Sequence, residues 1–169
     1  SGKVTIGTEA IGYTLKVTND DNIEKTTNVP VGSSAFYLAN KLNTELAGTG
    51  VNVSANTRVL LGPFDDGVSG AITFDLKGKN SDAVSINASI DASDISALAK
   101  RINEYSSQTG LLATVTSDFK KIIIESKDGY DINLKNITAP SDFYLEAFGK
   151  DFEKLSGNDS QRNSRLLID

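Results

Sequence analysis

Ser93-Asp94-Ile95-Ser96-Ala97-Leu98-Ala99-Lys100-Arg101-Ile102-Asn103, followed by Thr109-Gly110-Leu111, has a counterpart earlier in the same chain: Ser33-Ser34-Ala35-Phe36-Tyr37-Leu38-Ala39-Asn40-Lys41-Leu42-Asn43, followed by Thr49-Gly50-Val51. The offset between the two stretches is 60 residues throughout. Upstream lies a second echo, Ile11-x-Tyr13-x-Leu15-Lys16 against Ile72-x-Phe74-x-Leu76-Lys77, at an offset of 61. Each copy reads as strand, connection, helix and strand, and self-similarity at one spacing marks a duplicated structural module. Ala35, Leu38, Ala39, Leu42 and Leu46 share one face of the first helix, as Ile95, Leu98, Ala99 and Ile102 do in the second, which Tyr105 or Ser106 extends. Ser33 or Ser34 caps the first helix and Ser93 the second. The glycines of Gly48-Thr49-Gly50, and Gly110, provide left-handed exits.

Working outward, the alternation from Val4 to Val17 predicts a hairpin, Asn19-Asp20-Asp21-Asn22 a polar loop, and Thr26 to Val31 a short strand that Pro30 confines to an edge. Val51, Val53 and Ala55 predict a strand with Val59 to Leu61 as its return partner, and Gly62-Pro63-Phe64-Asp65-Asp66-Gly67 a link between copies. The second copy has strands at Ala71 to Leu76, Val84 to Ile90, Leu111 to Thr116, Phe119 to Glu125 and Tyr130 to Ile137, the last two joined by a tight Lys127-Asp128-Gly129 hairpin turn. Beyond Pro140, Leu145, Phe148, Phe152 and Leu155 fall on one helical face, Ser156 to Ser164 is a polar loop, and Leu166-Leu167-Ile168 a returning strand. The expected fold class is α+β: two tandem β-rich modules, each a small antiparallel sheet with one amphipathic helix packed on it. The expected partition is 1–67 and 68–138 for the modules and 139–169 for a C-terminal segment. Full burial of Leu38, Leu42, Leu98 and Ile102 contributes about 1.5 to 3 kcal/mol each before entropy is subtracted.

Composition narrows function by exclusion. With no His and no Cys, the Ser-His and Cys-His nucleophile pairs, thiolate chemistry and nearly every zinc site are out of reach. Carboxylate chemistry of the glycosidase kind remains, but Asp65, Asp66, Asp82, Asp91, Asp94 and Asp128 are scattered over loops and exposed helix positions and read as solvated surface. Asn19 to Asn22 lacks the ligand spacing, central Gly and final Glu of a calcium loop, and Gly48-Thr49-Gly50 follows a helix where a phosphate loop opens one. No catalytic, cofactor-binding or metal residue is assigned, and the chain reads as not an enzyme. A net charge of -5 disfavours nucleic acid and anionic membrane surfaces, and no apolar run reaches the roughly 18 residues that a spanning helix needs. The Asn-x-Ser/Thr triplets at Asn52, Asn87, Asn136 and Asn158 are no more frequent than so polar a composition produces. Tyr13, Tyr37, Tyr105, Tyr130 and Phe64 are the candidates for an aromatic contact patch, with core positions as the plainer reading. Ser1 at the start and the absence of Met read as a fragment excised from a longer protein.

The string Ile95 to Asn103, then Thr109-Gly110-Leu111-Leu112-Ala113-Thr114-Val115, then Ile122-Ile123-Ile124-Glu125-Ser126-Lys127-Asp128-Gly129 resembles the Ile-Asn motif of bacterial flagellins and hook-associated proteins. Leu38-Ala39-Asn40-Lys41-Leu42-Asn43 with Gly50-Val51-Asn52-Val53 resembles a second example with Leu in place of Ile, and Phe143-Tyr144-Leu145-Glu146-Ala147-Phe148-Gly149 resembles the apolar segment that closes such units. The resemblance implies a structural component of the flagellum: a solvent-exposed outer domain of flagellin or a hook-associated protein, extracellular, without cofactor, and monomeric when separated from the polymerising terminal helices, which nothing here resembles. Its implied partners are neighbouring flagellar subunits through those helices, and host receptors or antibodies. The competing expectation is an extracellular adhesin-type module that binds a glycan or host protein.

Overall fold

The structure, a computed structural model, describes residues 3–9, 12–147, 153–155 and 165–168. The first hairpin forms as its alternation requires: β1 (Lys3–Glu9) pairs antiparallel with β2 (Gly12–Thr18), and β3 (Glu24–Pro30) adds to the other side of β2. Pro30 sits at the end of this edge strand, where a missing N–H costs no ladder bond. Leu15, Val17 and Val29 turn inward under α1 (Ala35–Glu45), whose Ala35, Leu38, Ala39 and Leu42 are buried together with Leu46 at its C-cap. Of the two candidate caps Ser34 is the one used, its side-chain oxygen accepting the Tyr37 N–H at 3.1 Å.

The next strand differs from expectation. β4 (Val53–Phe64) runs unbroken for 12 residues, where a strand and its return partner were predicted. Asn56-Thr57-Arg58 carries no Gly or Pro, and β-branched Thr57 extends the alternation, so Val53, Ala55, Thr57, Val59 and Leu61 are all buried on one face. Gly62, Pro63 and Phe64 belong to this strand, and the link shrinks to a turn closed by Val68 N–H to Asp65 O at 3.2 Å.

In the second copy β5 (Ser69–Lys77) and β6 (Val84–Asp91) form a hairpin, then α2 (Ser96–Asn103), a single turn α3 (Ser106–Thr109), β7 (Leu112–Val115), β8 (Ile122–Ser126) and β9 (Asn133–Thr138) follow. Asp94, and not Ser93, holds the start of α2, its Oδ1 accepting the Ser96 N–H at 2.9 Å; Ser93 donates to Asp91 instead. β8 begins only at Ile122 because the chain turns at Phe119, which has φ 60°, and β9 begins at Asn133. Asp128-Gly129 is a turn, with Gly129 N–H to Ser126 O at 3.2 Å, but not a hairpin turn. β8 pairs with β7 and β4, whereas β9 pairs with β5 in the sheet β6-β5-β9. Only Gly129 of the dipeptide has positive φ, so the primed turn that a hairpin favours is absent.

The helix expected through Leu145 and Leu155 is replaced by β10 (Phe143–Ala147) and β11 (Glu153–Leu155), and Phe148 and Phe152 lie outside the described residues. β10 pairs with both β4 and β11, burying Phe143 and Leu145. The loop 156–164 also lies outside the described residues. The returning strand is present as β12 (Arg165–Ile168), paired with Val53 to Asn56 of β4.

The fold is α+β, with small antiparallel sheets and few short helices. Its apolar interior has two clusters. One gathers β2, β3, α1 and the start of β4; the other gathers Val59, Leu61 and Phe64 of β4 with β5 to β10 and α2. Ile72, Phe74 and Leu76 on β5 share the second cluster with Ile122 and Ile124 on β8 and with Leu98 and Ile102 on α2. The third strand differs between copies: β1 lies along the free side of β2, whereas β9, from the opposite end of its module, takes the equivalent place beside β5.

Leu98→Asp will unfold the second module, because an unpaired carboxylate would enter a site with no exposure. Loss of the cooperative thermal transition is the expected readout, and an unchanged midpoint would contradict the burial.

Candidate functional site

The residues that end the two helices do the same thing in both copies. Asn103 Nδ2 donates to Ala113 O at 2.9 Å while Ala113 N–H donates to Asn103 Oδ1 at 2.7 Å. Asn43 Nδ2 donates to Val53 O at 2.8 Å and Val53 N–H to Asn43 Oδ1 at 2.8 Å. One side-chain amide thus satisfies both backbone groups of a residue ten positions later, as a neighbouring strand would. Leu42 and Ile102, each one residue earlier, point into the core and orient the amide. The intervening threonines match as well. Thr109 Oγ1 donates to Tyr105 O at 3.0 Å and accepts the Leu111 N–H at 3.2 Å; Thr49 Oγ1 donates to Leu46 O at 2.7 Å and accepts the Val51 N–H at 3.3 Å. Gly110, with φ 68°, provides the exit that separates Thr109 from β7. The repeated polar positions are therefore engaged in holding helix to strand. Sequence reading named these asparagines without their role; the signal was their equal distance from an apolar strand residue.

The acidic candidates are spread over turns. Asp65 and Asp66 occupy the turn after β4, Asp66 paired with Lys120 Nζ at 3.1 Å. Asp91 and Asp94 come together at the entry to α2: Asp91 Oδ1 accepts the Ser93 hydroxyl at 2.6 Å and its N–H at 2.8 Å. The Ser93 hydroxyl and N–H hold the Asp91 carboxyl below its ordinary value, and Ser96 does the same to Asp94. Thr116 and the Lys120 N–H likewise lower Asp118, and Asn56, then Arg58, lowers Glu125. Asp128 lies exposed in the turn after β8, and Asp82 at the rim of a polar depression of about 350 Å³ with Asp75, Lys77 and Lys135. Among the described residues no group of three or more acidic side chains has metal-binding geometry. Asn19 to Asn22 forms a self-bonded turn in which Asn19 Oδ1 accepts the Asp21 and Ile23 N–H groups at 3.1 and 2.8 Å.

The aromatic candidates do not converge. Phe64 is buried with its ring 5.0 Å from that of Phe143, and Tyr130 stacks on Phe36 at 4.2 Å and 18°. Tyr105 packs against the core beneath Arg101, whose Nη2 donates to its hydroxyl at 3.0 Å. Tyr37 alone of the described candidates is an exposed large ring, and the Tyr13 side chain lies outside the described residues. Asn52, Asn87 and Asn136 are exposed; Asn158 lies outside the described residues.

Comparison with known proteins agrees with the resemblance seen in the second copy: residues 71–128 match the flagellin hook IN motif. That match spans β5 to the turn after β8 and contains the Asn103 to Ala113 bridge. No curated protein matches the chain. A solved structure, the flagellar cap protein FliD D2-D3 domains from Escherichia coli, aligns over 100% of this chain and 99% of its own at 12% identity and a TM-score of 0.30.

Asn103→Ala strands two partly buried backbone groups and will cost about 1 to 3 kcal/mol, read as a lower urea midpoint; no shift would show that the bridge is incidental. The lowered carboxylates also set an acid limit. Their folded-state pKa values lie below the unfolded ones, so their stabilisation is complete above the ordinary carboxylate range near 4 and is lost as pH falls through the folded values. Asp94→Asn will flatten the decline of melting temperature between about pH 5 and 2, and an undiminished slope would remove Asp94 from the cause.

Proposed function

We propose that this chain is a structural component of the bacterial flagellum, a solvent-exposed outer domain of flagellin or of a hook-associated protein. The carrying observation is the doubled unit of hairpin, helix, asparagine bridge and strand, whose second copy falls on the flagellin hook IN motif at 71–128. What the unit does physically suits a spacer: the repeated polar positions Asn43, Asn103, Thr49 and Thr109 are engaged in internal bonds, leaving the outer surface free to vary. The sequence partition of 1–67, 68–138 and 139–169 then describes two copies and a closing segment joined through β4. Such a domain is extracellular, meets other subunits through helices outside this sequence, is a monomer by itself and catalyses nothing.

An adhesin-type reading needs a convergent contact surface. It is the weaker reading, because Phe64, Tyr105 and Tyr130 are engaged in packing and leave Tyr37 without aromatic company from that set. The discriminating experiment is immunogold labelling of intact, unpermeabilised cells of the source organism with antibody raised against this chain. Gold along the filament or at its junctions is expected. Label confined to the cell body, or appearing only after the filament is broken open, would overturn the assignment.

A further inference from the structure

Both helices have an early N–H satisfied by a carbonyl from a distant turn, but the turns do not belong to equivalent places. In α2 the Ile95 N–H donates to Phe119 O at 3.0 Å, within the same copy. In α1 the Phe36 N–H donates at 3.0 Å to Gly129 O, which lies in the second copy. The first turn of a helix has N–H groups without intrahelical partners, so the second module completes the helix of the first.

The surrounding contacts make this a fitted joint. Ser126, fully buried, shapes the turn from within by accepting the Gly129 N–H at its carbonyl and the Tyr130 N–H at its hydroxyl, 3.0 Å away. Tyr130 lays its ring on Phe36. Gly129 has φ 80°, and a Cβ there would stand 2.3 Å from Ala55 Cβ and 3.0 Å from Phe36 N, so only glycine admits the approach. The covalent path between the clusters is β4, which passes from one to the other at Thr57, a residue with no exposure whose hydroxyl finds no hydrogen-bond partner; beside it β12 pairs with Val53 to Asn56, and Asn56 Nδ2 donates to Glu125 Oε1. β12 pairs with β4 only up to Asn56 and β8 only from Thr57, so the ladder changes partners at the crossing, and relative motion of linked modules is the default unless a further interface opposes it.

We infer that the turn Ser126 to Tyr130 is a latch that holds the two modules as one stiff body, and that releasing it leaves each module folded while the pair swings about Thr57. This goes beyond the flagellar assignment and does not depend on it. The chain has no Cys, so Glu45→Cys on α1 and Lys100→Cys on α2 provide two spin labels for distance measurement by pulsed electron paramagnetic resonance in the full chain. One narrow distance distribution is expected with the native turn. Tyr130→Ala, which removes only the stack, and Gly129→Val, which wedges the joint apart, should each broaden it, with helix content unchanged, the Leu98 and Ile102 amides still protected from exchange, and the Phe36 amide exchanging faster. Should Gly129→Val fail to fold, Tyr130→Ala decides alone. A distribution that stays narrow in Tyr130→Ala while the Phe36 amide loses protection would overturn the latch, as would a broad distribution in the parent chain.

Discussion

A side-chain amide that takes the place of a strand is the constraint on which this architecture rests. A helix lying on a small sheet buries its apolar stripe but leaves the following strand with one edge unpaired, and unpaired backbone groups are costly when partly buried. Asn103 and Asn43 answer that at Ala113 and Val53 with two bonds apiece. The spacing is then fixed from both sides: Ile102 and Leu42 must point into the core, so the asparagine one residue later projects toward the strand. Ten residues of connection, reversed by Thr109-Gly110 or Thr49-Gly50, bring the chain back at the right register. Glutamine would overshoot by a methylene, and aspartate could accept from the N–H but not donate to the carbonyl.

What each module builds around that bridge is less uniform. A two-stranded hairpin is marginal in water and gains from a third strand. The first copy takes it from upstream as β1, the second from downstream as β9, and both lie antiparallel on the equivalent edge. The edge is what matters physically, since a strand of either sequence origin satisfies the same row of N–H and C=O groups. The helix and its asparagine bridge recur in both modules because their contacts are local; the third strand does not, because any suitably alternating segment within reach will serve.

The same distinction explains what could be read in the sequence. The helix faces, Ser34 as one of two caps, the first hairpin, the edge strand ending in Pro30 and the strands of the second copy were legible because each follows from spacing within a dozen residues. The breaks came where tertiary pairing overrides local signals. Val59 to Leu61 reads as a return partner for the strand at Val51, Val53 and Ala55, yet β8 and β10 flank β4 and keep it extended through Phe64. Asp128-Gly129 reads as a hairpin because Asp-Gly favours the positive backbone angles of a primed turn, yet Ile132 and Leu134 are needed in the opposing layer. Leu145 and its successors matched a helical period, but a short apolar run next to an unfilled strand edge pairs instead. Asn43 and Asn103 were visible as matched letters; their bonds were not, since a ten-residue offset belongs to no periodic signal.

The inequality between the copies has its own logic. Phe119, at a left-handed turn between β7 and β8, supplies the carbonyl that α2 needs. The first copy has no such turn, because the residues that would form it, around Asn56 to Leu60, are straightened into β4. Its helix must therefore find an acceptor elsewhere, and the turn that returns the chain from β8 to β9 presents Gly129 O at the right place. Straightening β4 thus creates both the passage between the two cores at Thr57 and the vacancy that the Gly129 turn fills. With its own turn each module would complete its own helix; the absence of that turn from the first is what makes it depend on the second.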